Sequence, residues 1–294
     1  MNMTIAEMMK EYNYTQEELY SLLCQKVYEQ LKKDTGKKCV TFTLHEGESD
    51  VLASKIGGVP FIPQGGEYPV DTEEGEKLYL LIQLNFAEIP HMENYPESGI
   101  LQIFISDEDC YGMNWDDPQC QDYWRVLYHE DISNPMSLAD AKKLTPEVRE
   151  DSFGLPFETP GQEFTLEFKE EVMPITSEDY RFDFVKEKAV QNLLPDEFKG
   201  NDLFDLPEEL GDKLYEMLNG LSSHLGGYPG FTQSDIREGE KFEDYELFLQ
   251  IDSEDEDGEC YLMWGDCGVA NFFIHPDDLK KRDFSKVVYN WDCC

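Results

Sequence analysis

Four short segments of the chain occur twice, in the same order and at nearly constant separation. In the first half they are SKIGGVP, LYLLIQLN, GILQIFI and RVLYHED, beginning at residues 54, 78, 99 and 125. In the second half they are SHLGGYP, YELFLQID, GVANFFI and KVVYNWD, beginning at residues 223, 245, 268 and 286. The separations are 169, 167, 169 and 161 residues. Ordered matches of this kind indicate an internal duplication, with units of about residues 38–148 and 160–294.

The repeated segments predict the fold class. They are rich in branched and aromatic residues and alternate with Gly, Pro and acidic turn sequences, which is typical of antiparallel strands. Helical patterns occupy residues 5–33, 138–149 and 179–221, with a capping box at Thr15 and Glu18 and helix starts expected near Leu193 and Leu206. We predict an α+β fold that is predominantly antiparallel β and internally duplicated, with pseudo-twofold-related halves plus N-terminal and inter-repeat helices.

The domain organisation follows from these patterns. We assign residues 1–37 to an N-terminal helical segment, 38–148 to the first β-rich repeat unit, 149–222 to a connecting strand and helices, and 223–294 to the core of the second unit. No Ser, Gly or Pro linker separates the units, which favours one compact domain.

Charge restricts the partners. The chain has 63 acidic and 24 basic residues and a formal net charge of -39. Such a field repels phosphate, so we expect neither nucleic acid nor membranes as partners, and it attracts a basic protein or peptide, or metal cations. Without an apolar run of membrane-spanning length or a signal peptide, and with eight cysteines lacking CxxC spacing, we expect a cytoplasmic monomer with reduced thiols.

Several segments carry a family resemblance. GGYPGFTQSDIR at residues 226–237, MWGDCGVANFFI at 263–274 and DFSKVVYNWDC at 283–293 resemble the YwqG-like family of bacterial proteins, a domain of unknown function. LFLQIDS in the second half, and GGVPFIP, LLIQLNFAEIP, SGILQIFI and RVLYHED in the first, are similar to it too. The resemblance covers residues 50–294 and implies a largely β, bacterial, cytoplasmic protein. It transfers no catalytic residues, and some members resemble immunity components encoded near toxins.

The two Gly-Gly-X-Pro loops are the first candidate site. In the second copy Gly226, Gly227 and Tyr228 could present backbone N–H groups to a ligand, and the alternative is a repeated structural turn. No Lys-Ser or Lys-Thr follows either loop, which excludes a P-loop. Because Gln233 and Arg237 follow the second copy, we expect a ligand there if only one half binds.

Two glutamines, Gln83 and Gln250, interrupt otherwise apolar strands at matching positions. A buried amide must find hydrogen-bond partners, so we expect each to bond the backbone of a nearby loop. Alternatively, both face a common cleft along the pseudo-twofold axis.

A turn in the second unit combines Trp264, Asp266 and Cys267. An indole, a carboxylate and a thiol would suit a ligand pocket, and the alternative is a tight turn whose Trp covers the core. Cys267 could act as a nucleophile only beside a base, and His224 and His275 are the histidines of that unit.

Metal binding has little support in the sequence. The acidic run at residues 252–259 does not match a calcium loop, because a loop starting at Ser253 would end at Trp264 instead of Glu. We read it as a solvated acidic hairpin, with a weak cation site as the alternative. His45, His91 and His129 lack metal-ligand spacing, and no metal or cofactor is predicted.

These features favour a non-enzymatic protein- or ligand-binding module with a strongly acidic surface. An immunity-type neutralisation of a basic toxin would fit this interpretation. The alternative is a small-molecule hydrolase with a cleft between the two repeats, using Asp266, Cys267 and a histidine. The sequence leaves open whether the chain is an enzyme.

Overall fold

The computed structural model describes residues 3–147, 154–157, 162–195, 198, 206–239, 241–256 and 259–294. The helices are α1 (Ile5–Tyr12), α2 (Gln16–Thr35), α3 (Leu138–Leu144), α4 (Phe182–Leu193), α5 (Glu208–Leu218) and α6 (Pro276–Lys281). The strands are β1 (Lys37–Glu46), β2 (Lys55–Gly57), β3 (Tyr79–Asn85), β4 (Ile100–Ile105), β5 (Trp124–His129), β6 (Glu163–Met173), β7 (His224–Gly226), β8 (Glu246–Asp252), β9 (Glu254–Glu256), β10 (Glu259–Leu262), β11 (Val269–Ile274) and β12 (Val288–Asp292). The chain is therefore α+β and predominantly antiparallel, as predicted.

Ten of these strands form one sheet in the order β12-β11-β8-β7-β1-β6-β2-β3-β4-β5. Every neighbouring pair in it is antiparallel. The two long strands β1 and β6 lie at the centre, and each is followed in the chain by four shorter strands of the same sheet. β1 pairs with β7, and β6 pairs with β2, so each long strand lies beside the short strand that follows the other one.

The sheet curls into a half-barrel, and side chains of its two edge strands, β5 and β12, are in contact. Trp124 of β5 lies with its ring centroid 5.2 Å from that of Tyr289 in β12, and the Phe272 and Tyr289 rings stack at 4.7 Å. The loop before β5 bridges the same gap: the Tyr289 N–H donates to the Pro118 carbonyl at 2.9 Å, and Trp291 Nε1 donates to the Cys110 carbonyl at 2.9 Å. The contact between β5 and β12, called the seam below, is therefore made by side chains and a loop, without backbone pairing of the two strands. The same groups cover the β12 edge.

The buried apolar residues of the described chain form four hydrophobic clusters, of which the two largest hold these elements together. The larger contains buried residues of both sheet halves, including Trp124, Phe248 and Tyr289. The smaller joins the apolar stripe of α2 to one face of α5 and contains Leu19, Leu23, Val27 and Leu31 of α2 with Leu210, Leu214 and Leu218 of α5. Leu22, next to Leu23 in the same helix, is exposed.

The helix predictions are confirmed except at their ends. Residues 5–33 form α1 and α2, and both helices begin with a capping box, Thr4 with Glu7 and Thr15 with Glu18. α3 ends at Leu144, and residues 148–149 of its predicted range lie outside the described residues. α4 ends at Leu193, and the helix start expected near there falls on residues 196–197, which lie outside the described residues. The Phe198 N–H donates to the Pro195 carbonyl at 2.9 Å. The helix start expected near Leu206 is confirmed, since α5 begins at Glu208. The short α6 was not predicted.

Two further sequence expectations concern the acidic run and the cysteines. β9 and β10 pair as a small antiparallel hairpin at the acidic run, whose residues 257–258 lie outside the described residues. The cysteines whose side chains are described are not joined in disulfides. Among the helices of the described ranges, none combines the length and the apolar character needed to cross a membrane.

The ladder register corrects one sequence match. Gln102 pairs with Leu127 in the first half, and Asn271 pairs with Asn290 in the second. Ladder positions in β5 and β12 therefore correspond at 163 residues, whereas the sequence match implied 161. A shift by two residues keeps every side chain on the same face, so alternation of apolar residues cannot detect it.

Removal of the Trp124 side chain tests the seam. Trp124 is fully buried, so Trp124→Ala should lower the free energy of unfolding by about 3–5 kcal/mol, measured by urea denaturation. Trp115→Ala is the matched control, because Trp115 is 65% exposed and its loss should change stability by less than about 0.5 kcal/mol. Equal effects of the two substitutions would contradict a seam that is held by buried aromatic rings.

Candidate functional site

Both Gly-Gly turns require glycine for the same reason. Gly57 and Gly58 have φ of 67° and 70°, and Gly226 and Gly227 have φ of 65° and 74°. A Cβ on Gly57 would lie 2.4 Å from the Gln162 carbonyl oxygen. The left-handed backbone and the close approach of a neighbouring strand both exclude larger residues.

The Gln83 amide is committed to the loop that surrounds the first turn. Its Oε1 accepts the Phe61 N–H at 2.7 Å. Its Nε2 donates to the carbonyls of Val51 at 2.9 Å and Ala53 at 2.8 Å. Gln83 is fully buried, so these bonds replace the water that the amide loses on folding.

The Gln250 amide does the same in the second half. Its Oε1 accepts the Gly230 N–H, and its Nε2 donates to the Gly220 and Ser222 carbonyls, all at 2.8 Å. The predicted bonding of both glutamines to nearby loops is confirmed. A role of Gln83 or Gln250 in ligand binding stays a prediction.

Arg237 is buried and pairs with Asp235 and Asp179, and we call this group the Arg237 clamp. Its Nε and Nη2 donate to the two carboxylate oxygens of Asp235 at 2.9 and 2.6 Å, and Nη2 also donates to Asp179 at 2.8 Å. Nη1 donates to the Tyr245 carbonyl, and the guanidinium lies 4.9 Å from the Phe273 ring centroid. Burial acts to lower the pKa of Arg237, but the two carboxylates raise it on balance. The guanidinium therefore remains charged and holds the 226–237 segment against the sheet.

The rest of the second loop is also covered. Tyr228 is buried and its hydroxyl donates to the Thr35 carbonyl at 2.6 Å, while a Cβ on Gly226 would lie 2.5 Å from Met92 Cε. Gln233 is exposed, but its Nε2 donates to the Cys293 carbonyl at 2.8 Å. The structure thus buries the Gly-Gly-Tyr part of the loop where we expected a ligand.

Trp264, Asp266 and Cys267 do not share one environment. Trp264 is fully buried, with its ring edge-on to Tyr111 at 5.1 Å between centroids, whereas Asp266 and Cys267 are exposed. The Gly268 N–H donates to the Trp264 carbonyl at 2.8 Å and closes the turn. This geometry matches the tight turn whose Trp covers the core.

Neither histidine of the second unit is arranged as a base for Cys267. His224 is fully buried, with Nδ1 2.8 Å from the Ser222 carbonyl oxygen and Nε2 3.2 Å from the Tyr228 carbonyl oxygen. Burial lowers the pKa of His224. His275 caps α6 by accepting the Asp277 N–H at 3.2 Å. The hydrolase alternative therefore gains no support from these residues.

Carboxylates and aromatic rings line a groove that the sequence analysis missed. This acidic groove has a volume of about 900 Å³. Its carboxylates belong to Asp71, Glu74, Glu76, Asp107, Glu108 and Asp116, against the single amine of Lys77. Trp115, at 65% exposure the most exposed tryptophan described, lies in the lining with Tyr123. Trp115 Nε1 donates to Cys110 Sγ at 3.2 Å, which fixes the indole beside the carboxylates.

The groove is strongly electronegative. Burial would raise the pKa of Asp71, but four main-chain N–H groups of residues 73–76 lower it and keep this carboxylate charged. Partial desolvation and the carboxylates of Glu73, Glu74 and Asp71 raise the pKa of Tyr123. The residues come from three separate segments, so no spacing pattern could reveal them. The sequence does contain one local indication of the groove, since Trp115 lies between acidic residues at 107–109 and at 116–117.

A second electrostatic feature lies at the end of β8. Burial, together with the charge of Glu254, raises the pKa of Asp252 to about 7. Among the residues that the structure describes, no three His, Cys, Asp or Glu side chains are grouped to hold a metal ion.

Substitution of Arg237 tests the clamp. Arg237→Leu leaves Asp235 buried without its cation and Asp179 with Arg181 alone, and should lower the free energy of unfolding by about 3–5 kcal/mol in urea denaturation. Arg282→Leu removes an exposed arginine paired with exposed Glu130 and should cost less than about 1 kcal/mol. A cost for Arg237→Leu as small as that of the control would refute the clamp.

Asp252 predicts a pH dependence of stability. Its folded pKa lies above the unfolded value, so the folded state binds the proton more tightly, and stability is lost as pH rises toward and through 7. Asp252→Asn should therefore stabilise the protein more at pH 8 than at pH 5, as measured by thermal or urea unfolding. Asp266→Asn, at an exposed carboxylate, should show no such difference. A pH-independent effect of Asp252→Asn would contradict the raised pKa.

Comparisons with known proteins give a family but no activity. No curated protein matches the chain. A family model described as a domain of unknown function, DUF1963, matches residues 54–293 and so covers both halves of the sheet. The chain therefore belongs to the DUF1963 family.

Proposed function

We propose that this chain is a non-enzymatic binding module whose acidic groove receives a basic segment of a partner protein. The observation that carries the proposal is Trp115, which is exposed and fixed beside six groove carboxylates. Large exposed aromatic side chains at a charged concave surface are characteristic of binding sites.

The chemistry of the groove suits arginine and lysine side chains. A guanidinium over an exposed indole gains about 0.5–1 kcal/mol, and each exposed ion pair adds about 0.2–1 kcal/mol. The net charge of -39 would also accelerate the approach of a basic partner. Several such contacts together would give a specific complex that weakens with salt.

The partner fits an immunity-type role. We propose that a basic toxin is neutralised by this surface, and that the chain acts in the bacterial cytoplasm as a monomer of the YwqG-like group. What supports these points is the excess of acidic residues and the sequence segments that resemble that group. Nucleic acid and membranes stay disfavoured by the same charge.

We further propose that the two halves arose by duplication within one compact domain. Five side-chain hydrogen bonds recur at positions 169 or 167 residues apart. In the first half they join Gln83 to Phe61, Val51 and Ala53, Gln102 to Phe61, and Ser54 to Asn85. In the second half they join Gln250 to Gly230, Gly220 and Ser222, Asn271 to Gly230, and Ser223 to Asp252. A bulge also occurs at Leu81 in β3 and at Phe248 in β8, which are matching positions.

A labelled oligo-arginine peptide tests the groove by fluorescence anisotropy. Trp115→Ala should weaken binding about two- to five-fold through loss of the cation–π contact. Glu74→Gln with Glu76→Gln should weaken it further and reduce the salt dependence.

The matched control removes equal charge elsewhere. Glu208→Gln with Asp212→Asn, and separately Tyr215→Ala, alter an exposed acidic and aromatic surface on α5. Binding should be almost unchanged in these variants. If they weaken the complex as much as the groove variants, attraction is a property of net charge alone and the groove is not the site.

A further inference from the structure

The two Gly-Gly turns differ in one buried side chain. In the first half Lys55 Nζ donates to the Val59 carbonyl at 3.1 Å. At the matching place in the second half, His224 Nε2 lies 3.2 Å from the Tyr228 carbonyl oxygen. Both side chains are fully buried, but the neutral imidazole occupies this place without burying a charge. The turn itself therefore does not require a lysine.

The charge of Lys55 instead positions a carboxylate. Lys55 Nζ lies 3.3 Å from Glu163 Oε1, which also accepts the Ser49 N–H at 2.9 Å. Glu163 Oε2 lies against Gly58, where a Cβ would come within 2.3 Å of it. Burying an ammonium group costs free energy unless a partner compensates, so a buried ion pair of this kind is unusual at a turn. Its result is one carboxylate oxygen fixed beside the first Gly-Gly turn.

Glu163 lines a cavity beside the first Gly-Gly turn. The cavity has a volume of about 370 Å³ and is lined by the first turn, Glu46, Glu48, Tyr79, Phe157 and Glu163, with Lys142 at its side. In the second half a Cβ on Gly227 would lie 2.4 Å from Met173 Sδ and 3.0 Å from Cys39 Cβ. The second turn is sealed by side chains, whereas the first is open.

We propose that this cavity binds a small organic cation, an amine whose ammonium group donates to Glu163 while its carbon body lies against Tyr79 and Phe157. The volume is in the range of small-molecule sites, and the three carboxylates outnumber the two amines, Lys142 in the lining and Lys55 paired with Glu163, which favours a cation. Aromatic walls add cation–π attraction. Tyr79 is the residue that this lining shares with the acidic groove, so the two sites are neighbours with separate carboxylates.

Calorimetry with three probes of one shape tests the cation preference. Benzylammonium should bind the full chain, and benzyl alcohol and benzoate should bind at least about ten-fold more weakly, because only the first donates a charged hydrogen bond to Glu163. Equal affinity of the three probes, or no heat from benzylammonium at millimolar concentration, would overturn the proposal.

Variants then locate the binding. Glu163→Gln should weaken benzylammonium binding about ten-fold or more, with folding checked by circular dichroism because Lys55 loses its charged partner. Glu46→Gln with Glu48→Gln changes two exposed carboxylates, keeps the buried pair, and should weaken binding a few-fold.

Two controls separate this site from the groove. Glu208→Gln with Asp212→Asn removes the same charge from α5, and Trp115→Ala alters the groove. Both should leave benzylammonium affinity unchanged. A loss of affinity in either control equal to that of Glu46→Gln with Glu48→Gln would overturn the assignment to this cavity.

Discussion

The central pairing of β1 with β6 is the constraint on which the sheet depends. Ten residue pairs join the strands, from Lys37 with Met173 to Glu46 with Phe164. Residues more than a hundred positions apart must therefore meet before either half can be completed, because β2 pairs with β6 and β7 pairs with β1. Such non-local pairing is associated with slow folding. It also joins the strands of the two halves in one sheet.

Apolar clusters pack on both faces of the sheet, and on one face buried polar groups add to them. The concave side is filled with aromatic and aliphatic side chains that also close the seam between β5 and β12. On the side of the Gly-Gly segments, buried amides and the Arg237 clamp fasten the chain to the strands. Polar groups there confer order only because nearly every donor and acceptor is paired.

The sequence predicted local structure better than it predicted sites. Strand-like repeats, the capping box at Thr15 and the bonding of Gln83 and Gln250 follow from short-range patterns and from the cost of burying an unpaired amide. The sequence could not predict that β1 and β6 each pair with the short strand that follows the other one. The alternation of apolar residues indicates which face of a strand is buried and not which strand lies beside it. The acidic groove and the Lys55–Glu163 pair escaped for a related reason, since their residues meet only across long separations.

The candidate residues of the second loop show why motif identity alone is a weak guide to function. Gly226, Gly227, Tyr228 and Arg237 match the conspicuous sequence motif, yet packing uses all four to fasten the chain. The less conspicuous first copy keeps its turn open to a cavity. Glycine-rich turns are thus equally suited to packing and to binding, and the neighbouring side chains decide between them.

The exchanged long strands carry a consequence for how such a protein could originate. In a single unit the first short strand would lack the long strand beside it, because that long strand belongs to the other unit. The single-copy ancestor implied by the proposed duplication would therefore have assembled as a strand-swapped homodimer. Fusion of two copies makes that association intramolecular and independent of concentration. Fusion also allows the two copies to diverge in sequence. A substitution in a symmetric dimer changes both sites together, whereas a fused chain can seal one turn with methionines and leave the other open.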